Sequence, residues 1–235
     1  NDWAEVVELA WPTDVVGSAL QALGDRAAHW TLVSTVSVYA RNDEPNADEA
    51  AAVVEPVDLD DYGQAKVAGE RAAAERVGDR LLIVRPGLIA GPGDPSDRFG
   101  YWPARLRRGG DVLVPGADGL RVQVIDVDDL ADCCLFLMEH YDSDEIINVG
   151  VGEDHTIRDL AGMVSRAVGY DGPIVFDITK PDGTPRKLLD TGRLTALGWT
   201  PQISLREGIA RTYEWYCSQL RTDGPIPASM KRNHP

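Results

Sequence analysis

Apolar positions along the chain alternate between two textures. Short runs dense in apolar and β-branched residues (Ala4–Ala10, Trp30–Val38, Arg80–Val84, Ile146–Val149) read as buried strands. Between them Val15, Val16, Ala19, Leu20 and Leu23 recur at helical spacing, and Tyr62–Val77 is an Ala-rich run of helix formers. Strands alternating with helices of this length predict βαβ units and a parallel sheet, so the fold class is α/β. Residues 42–60 are polar and acidic without a period and read as a surface loop.

Beyond Ile89 the texture changes. Ala90-Gly91-Pro92-Gly93-Asp94-Pro95 is a run of turn formers and marks a domain exit. Arg121–Val127 reads as a strand, followed by a helical stripe of Val127, Leu130, Ala131, Cys134, Leu135 and Met138. A helix starting at Thr156, a strand Ile174–Ile178 and a loop Lys180–Lys187 come next. The capping box Ser204-Leu205-Arg206-Glu207 opens a closing helix with Leu205, Ile209, Tyr213, Tyr216 and Leu220 on one side.

Charge narrows the partners. Thirty-eight acids against 23 bases give a net charge of −15 over 235 residues. That balance opposes binding to nucleic acid or to an anionic membrane, both of which need basic footprints. No apolar run approaches the roughly 20 residues that cross a bilayer, and nothing reads as a secretion signal. Cys133, Cys134 and Cys217 cannot pair off evenly, and Cys134 fits the apolar face of a helix as a buried thiol. A reducing cytoplasm is the expected compartment. The histidines lack partners at ligand spacing, so no metal site is expected.

The chemistry concentrates in Tyr62-Gly-Gln-Ala-Lys66, with Ser34-Thr35-Val36-Ser37-Val38-Tyr39 ending 23 residues upstream. On a helix, Tyr62 and Lys66 stand one turn apart on the same face. A phenol titrates near 10, too high for a base at neutral pH. An ammonium about 4 Å away, at an effective dielectric near 20, favours the phenolate by up to about 4 kcal/mol. A hydroxyl at the strand end, Thr35 or Ser34, is placed to orient a substrate oxygen. These pieces describe an acid/base for interconverting alcohol and carbonyl. Alone, Y-x-x-x-K is more often an exposed helix pair. Its place between the hydroxyl-bearing strand end and a strand closing in Arg85-Pro86-Gly87 favours the catalytic reading.

With these motifs in place the chain resembles an extended short-chain dehydrogenase/reductase of the NAD-dependent epimerase/dehydratase family. The resemblance implies a catalytic hydroxyl at Thr35, an acid/base at Tyr62 and its tuner and ribose contact at Lys66. It implies that the nicotinamide of NAD or NADP meets backbone just after Pro86, with Pro86 and Leu88 as cofactor contacts. It assigns Arg121 to a substrate diphosphate and the Lys180–Lys187 loop, through Lys180 and Arg186, to further phosphate contacts. The last third, with Lys180-Pro181-Asp182-Gly183-Thr184-Pro185-Arg186-Lys187, is similar to the GDP-fucose synthase branch of that family. The implied substrate is a nucleotide sugar, and a homodimer is the implied assembly.

Two departures stand out. The branch's epimerising cysteine position is Ser37 here, on the substrate side, and no histidine occurs between His29 and His140. The family's opening glycine turn is also absent, since Ala4–Ala10 resembles the family's fourth strand. The expected architecture is therefore a truncated Rossmann-like parallel sheet with a small C-terminal substrate-binding lobe. Residues 1–93 and 119–150 would form the core, 94–118 and 151–221 the lobe, and 222–235 a tail. Without a glycine turn the chain alone is expected to hold a dinucleotide weakly or not at all. A non-catalytic nucleotide-sugar binding or sensing module, or an interaction protein pairing through the Tyr62–Val77 helix, are the alternatives that fit.

Overall fold

The computed structural model describes residues 2–41, 43, 45–94, 99–115, 119–177, 186 and 188–222. In chain order its elements are β1 (Trp3–Glu8), α1 (Thr13–Leu23), β2 (Ala27–Val33), α2 (Tyr62–Val77), β3 (Leu81–Pro86), β4 (Leu88–Ala90) and α3 (Tyr101–Arg107). Then follow β5 (Val112–Pro115), β6 (Arg121–Val122), β7 (Val124–Asp126), α4 (Val127–His140), β8 (Ile147–Val149) and β9 (His155–Thr156). The last are α5 (Ile157–Val168), β10 (Ile174–Asp177), α6 (Gly192–Ala196) and α7 (Leu205–Thr222).

The expected parallel sheet forms, in the order β1-β2-β3-β8, with every pair parallel. Its centre is β3, where all six residues are buried, as a strand covered on both faces requires. Side-chain alternation assigns the faces. Trp30, Leu32, Leu81 and Ile83 pack against Val16 and Leu20 of α1 and Ala73 and Val77 of α2. Val33, Leu82, Val84 and Ile147 pack against Cys133 and Leu137 of α4. A separate apolar cluster joins Ala90, Phe99, Leu106, Val112, Val124, Leu160 and Ile209 beyond the sheet.

Three expectations shift. The strand drawn through Val38 stops at Val33, and Val36–Val38 is a single 3₁₀ turn. The Thr35 hydroxyl accepts from Ser37 N at 3.2 Å, which turns the chain there. The strand drawn over Arg121–Val127 is two short ones flanking Gln123: β6 runs antiparallel to β9 and β7 parallel to β4. The α4 stripe is rotated as well, since Leu135 is 61 % exposed while Cys133 and Leu137 are fully buried. Leu130, Cys133, Cys134 and Leu137 share the i, i+3, i+4, i+7 face that meets the sheet, and Leu135 lies off it. Both α4 thiols are buried as expected of Cys134, and burial pushes the Cys134 thiol up to about 11.

Candidate active site

The site begins where β2 ends. Ser34 N donates to Val84 O at 2.7 Å, pinning the strand end to β3. The turn that follows lies so near α2 that a Cβ at Gly63 would stand 2.5 Å from Ser37 O. Glycine at the second position of α2 is what allows this approach, and Asp61 caps the helix by accepting from Gln64 N at 2.9 Å. Tyr62, the first residue of α2, is thereby set beside the turn. Its ring is met edge-on by Trp11 at 5.9 Å between centroids.

Between these pieces lies a cleft of about 460 Å³. Ser34, Thr35, Ser37, Tyr62, Pro86 and Leu88 all line it, and Phe99, Trp102 and Leu160 give it an apolar wall. It opens at the carboxyl ends of β2 and β3, the side where parallel α/β sheets bind ligands. The fold therefore brings together five residues expected from sequence: Thr35, Ser37, Tyr62, Pro86 and Leu88.

Lys66 behaves differently. Its ammonium donates to Val33 O at 2.7 Å, Ala10 O at 2.9 Å and Leu9 O at 3.2 Å. An ammonium has three N–H donors, and all three are used on carbonyls at the ends of β1 and β2. Burial lowers its pKa to about 8, against the opposing pull of Glu8 and Glu70. With its donors spent on these carbonyls, Lys66 offers none to Tyr62.

Arg121 and Arg186 meet outside the cleft lining. Their backbones form a parallel bridge, and both guanidiniums bind Asp154: Arg121 Nε to Oδ1 and Arg186 Nε to Oδ2, each at 2.6 Å. Burial raises the Asp154 carboxyl, but hydrogen bonds from Arg186 and Arg121 outweigh it and hold the group below the usual carboxylate range. Lys180 lies outside the described residues.

Sequence reasoning missed two features. Gln123 is 1 % exposed, lines the cleft, and packs so closely that a Cβ at Gly150 would stand 2.7 Å from its Nε2. A polar residue interrupting an apolar strand run was the available signal. Behind the cleft wall, Arg85 binds Glu70 through Nε at 3.0 Å and Nη2 at 2.6 Å. Arg85 also sits over the Tyr39 ring at 5.0 Å, and Tyr39 Oη donates to Asn148 Oδ1 at 2.6 Å. The spacing of Glu70, one turn after Lys66 on the same helix face, was the sign of a second buried partner.

A parallel sheet flanked by helices, with a hydroxyl- and phenol-lined cleft at its strand ends, defines a Rossmann-like α/β protein. The chain belongs to the NAD dependent epimerase/dehydratase family, which it matches over residues 12–150. GDP-L-fucose synthase 1 of Arabidopsis thaliana is 40 % identical over 172 residues, covering 68 % of this chain and 53 % of that protein. The GDP-L-fucose synthase of Escherichia coli K12 is 39 % identical over 180 residues, 66 % of this chain and 55 % of that protein. The chain thus spans about half the length of these relatives. Among solved structures, RMD from Pseudomonas aeruginosa complexed with NADPH gives a TM-score of 0.75 at 23 % identity, covering 92 % of this chain and 82 % of that one. UDP-glucose 4-epimerase from Thermotoga maritima with UDP-glucose gives 0.73 at 21 % identity, covering 92 % and 78 %. Both share the fold.

Proposed function

We propose that this chain carries the acid/base and substrate side of an NAD(P)-dependent oxidoreductase that interconverts alcohol and ketone on a nucleotide sugar. One observation carries the reading: the Thr35 and Tyr62 side chains line the same cleft as Pro86 and Leu88, at the carboxyl ends of the sheet. GDP-L-fucose synthase relatives at 40 % and 39 % identity support the nucleotide-sugar class.

The cleft suits the nicotinamide end of the cofactor. Backbone at Pro86-Gly87-Leu88 faces it, and Gly87 leaves no side chain between that backbone and Gln123, whose Oε1 would stand 3.1 Å from a Cβ there. When bound, the nicotinamide supplies or accepts the hydride. The remaining work belongs to this chain. Thr35 Oγ hydrogen-bonds the sugar oxygen and orients it. Tyr62 Oη gives that oxygen a proton in the reductive direction and takes it back in the oxidative one. Lys66, charged at neutral pH and a turn away on α2, holds the ends of β1 and β2 together through its three carbonyl bonds. Ser37 stands where the fucose synthase branch places a thiol, and its hydroxyl is too weak an acid to protonate a neighbouring carbon. The chemistry is accordingly redox exchange at a single carbinol centre. We assign the reaction to the cytoplasm, in keeping with three unpaired thiols.

Tyr62→Phe in the intact enzyme tests this by removing one oxygen and nothing else. Turnover, followed by the absorbance of reduced nicotinamide, should fall on the order of 10²–10⁴-fold. Nucleotide-sugar affinity should hold. An unchanged kcat would take Tyr62 out of the mechanism.

A further inference from the structure

We infer that Asp154 is a positioning residue that arms Arg121 and Arg186 as a two-guanidinium clamp for the diphosphate of a nucleoside-diphosphate ligand. The inference rests on the nucleotide-sugar reading above and adds to it the group that shapes the anion site.

Arg121 and Arg186 are bridged through their backbones, so two cations are forced side by side and repel. One carboxylate between them removes that repulsion and leaves a net single positive charge. Each Asp154 oxygen takes the Nε of one arginine at 2.6 Å, and Asp154 O also accepts from Arg121 Nη2 at 3.0 Å. Binding through Nε fixes the plane of each guanidinium, and most of its five donors have no partner among the described residues. Exposure then separates the carboxylate from the two arginines. The Asp154 side chain is 5 % exposed, whereas Arg121 and Arg186 are 36 % and 35 % exposed. The carboxylate is the sealed base of the cluster and the guanidiniums are its open rim. An anion arriving from solvent meets donors first and the carboxylate's charge last.

Place and chemistry agree. Arg121 is the strand neighbour of Val122, which lines the cleft that holds Tyr62. Planar guanidinium forks match phosphate oxygens two at a time. A bare carboxylate near an anion site ordinarily repels the anion, the opposite of the role inferred for Asp154.

Calorimetry with the full chain and GDP as the probe, with inorganic pyrophosphate and UDP run alongside, separates the two. If Asp154 arms the clamp, Asp154→Asn weakens GDP and pyrophosphate about tenfold, Asp154→Glu recovers part of the loss, and the thermal melt of both variants stays near wild type. If Asp154 only opposes the anion, Asp154→Asn binds GDP as tightly as wild type or tighter, and the inference is overturned. Absence of measurable GDP binding to the wild-type chain overturns it as well. Should Asp154→Asn fail to fold, Arg186→Gln keeps the Arg121–Asp154 pair. A GDP affinity unchanged in that variant overturns the clamp, and a several-fold loss supports it. GDP binding indifferent to Asp154 sinks this inference alone, because the redox reading stands or falls on Tyr62→Phe.

Discussion

Two arginine–carboxylate clusters in this molecule have nearly the same bond lengths and opposite orientations. Arg85 and Glu70, 4 % and 7 % exposed, face each other inside the wall of the cleft. Arg121 and Arg186 share Asp154 at 2.6 Å but keep about a third of each side chain in solvent. Geometry alone does not distinguish them; the position of the cation does. Where the guanidinium is sealed it fastens one element to another, and where it is open it offers donors to something else. Arg85 ties α2 to β3 through Glu70 and reaches the turn after β2 through the Tyr39 ring. Those are the segments that carry Tyr62, Pro86 and Thr35 to the cleft.

The largest effect expected is on the sealed side. Arg85→Ala leaves Glu70 as a buried carboxylate without its cation, and such losses run about 3–5 kcal/mol. Urea unfolding should show it as a large drop in midpoint. The double change Glu70→Met with Arg85→Met removes both charges and should cost far less, since a buried pair replaced by apolar side chains is often near neutral. If the double variant were as unstable as the single, the sealed pair would not be an electrostatic fastener, and the contrast between the clusters would fail.

Lys66 sharpens the contrast, being a sealed cation held by carbonyls instead of a carboxylate. Its pKa in the folded protein is about 8, below the ordinary 10.5. Between those values the unfolded chain binds the proton that the folded chain has released. Stability from this group therefore rises with pH across pH 8 to 10.5, and below pH 8 the charged, desolvated ammonium is a net cost. Measured as the difference between wild type and Lys66→Met, the wild type should gain about 1–3 kcal/mol from pH 7.5 to 10. The subtraction also cancels the Tyr39 phenol, which burial raises above its usual value in the folded chain despite Arg85 and Asn148. A difference that stays flat over the range would mean that the three carbonyls hold the proton against burial.

Much of this was legible before any coordinates. Period and turn chemistry placed α2 at Tyr62–Val77 and the sheet strands within a few residues. The family resemblance grouped Thr35, Tyr62 and Pro86 in one site, and all three line the cleft, because strand ends in a parallel sheet lie on one side. What stayed hidden depends on contacts between segments distant in the chain. Lys66 reaches Leu9, Ala10 and Val33, from 33 to 57 residues away, and no local spacing announces carbonyls as its partners. Asp154 lies 33 residues from Arg121 and 32 from Arg186, so its role exists only once β6 and β9 are paired. The rotated stripe of α4 has the same origin. Leu135 is as apolar as Leu137, and only the sheet's position decides which is buried.

The smallest expected effect is on the stability of the open cluster. Arg186→Gln removes one of two cations from Asp154 but leaves the Arg121 bonds at 2.6 and 3.0 Å in place. With Arg186 35 % exposed, water replaces much of what the guanidinium supplied, so the loss should be within about 1 kcal/mol. Added salt should shrink it further, because half-open charges are screened where sealed ones are not. The same urea experiment that reads Arg85→Ala reads this variant, on the same scale. A midpoint drop comparable to that of Arg85→Ala would make Arg186 a fastener too. A drop of a few tenths, alongside weakened GDP binding, would leave it a residue that the fold holds out for a ligand.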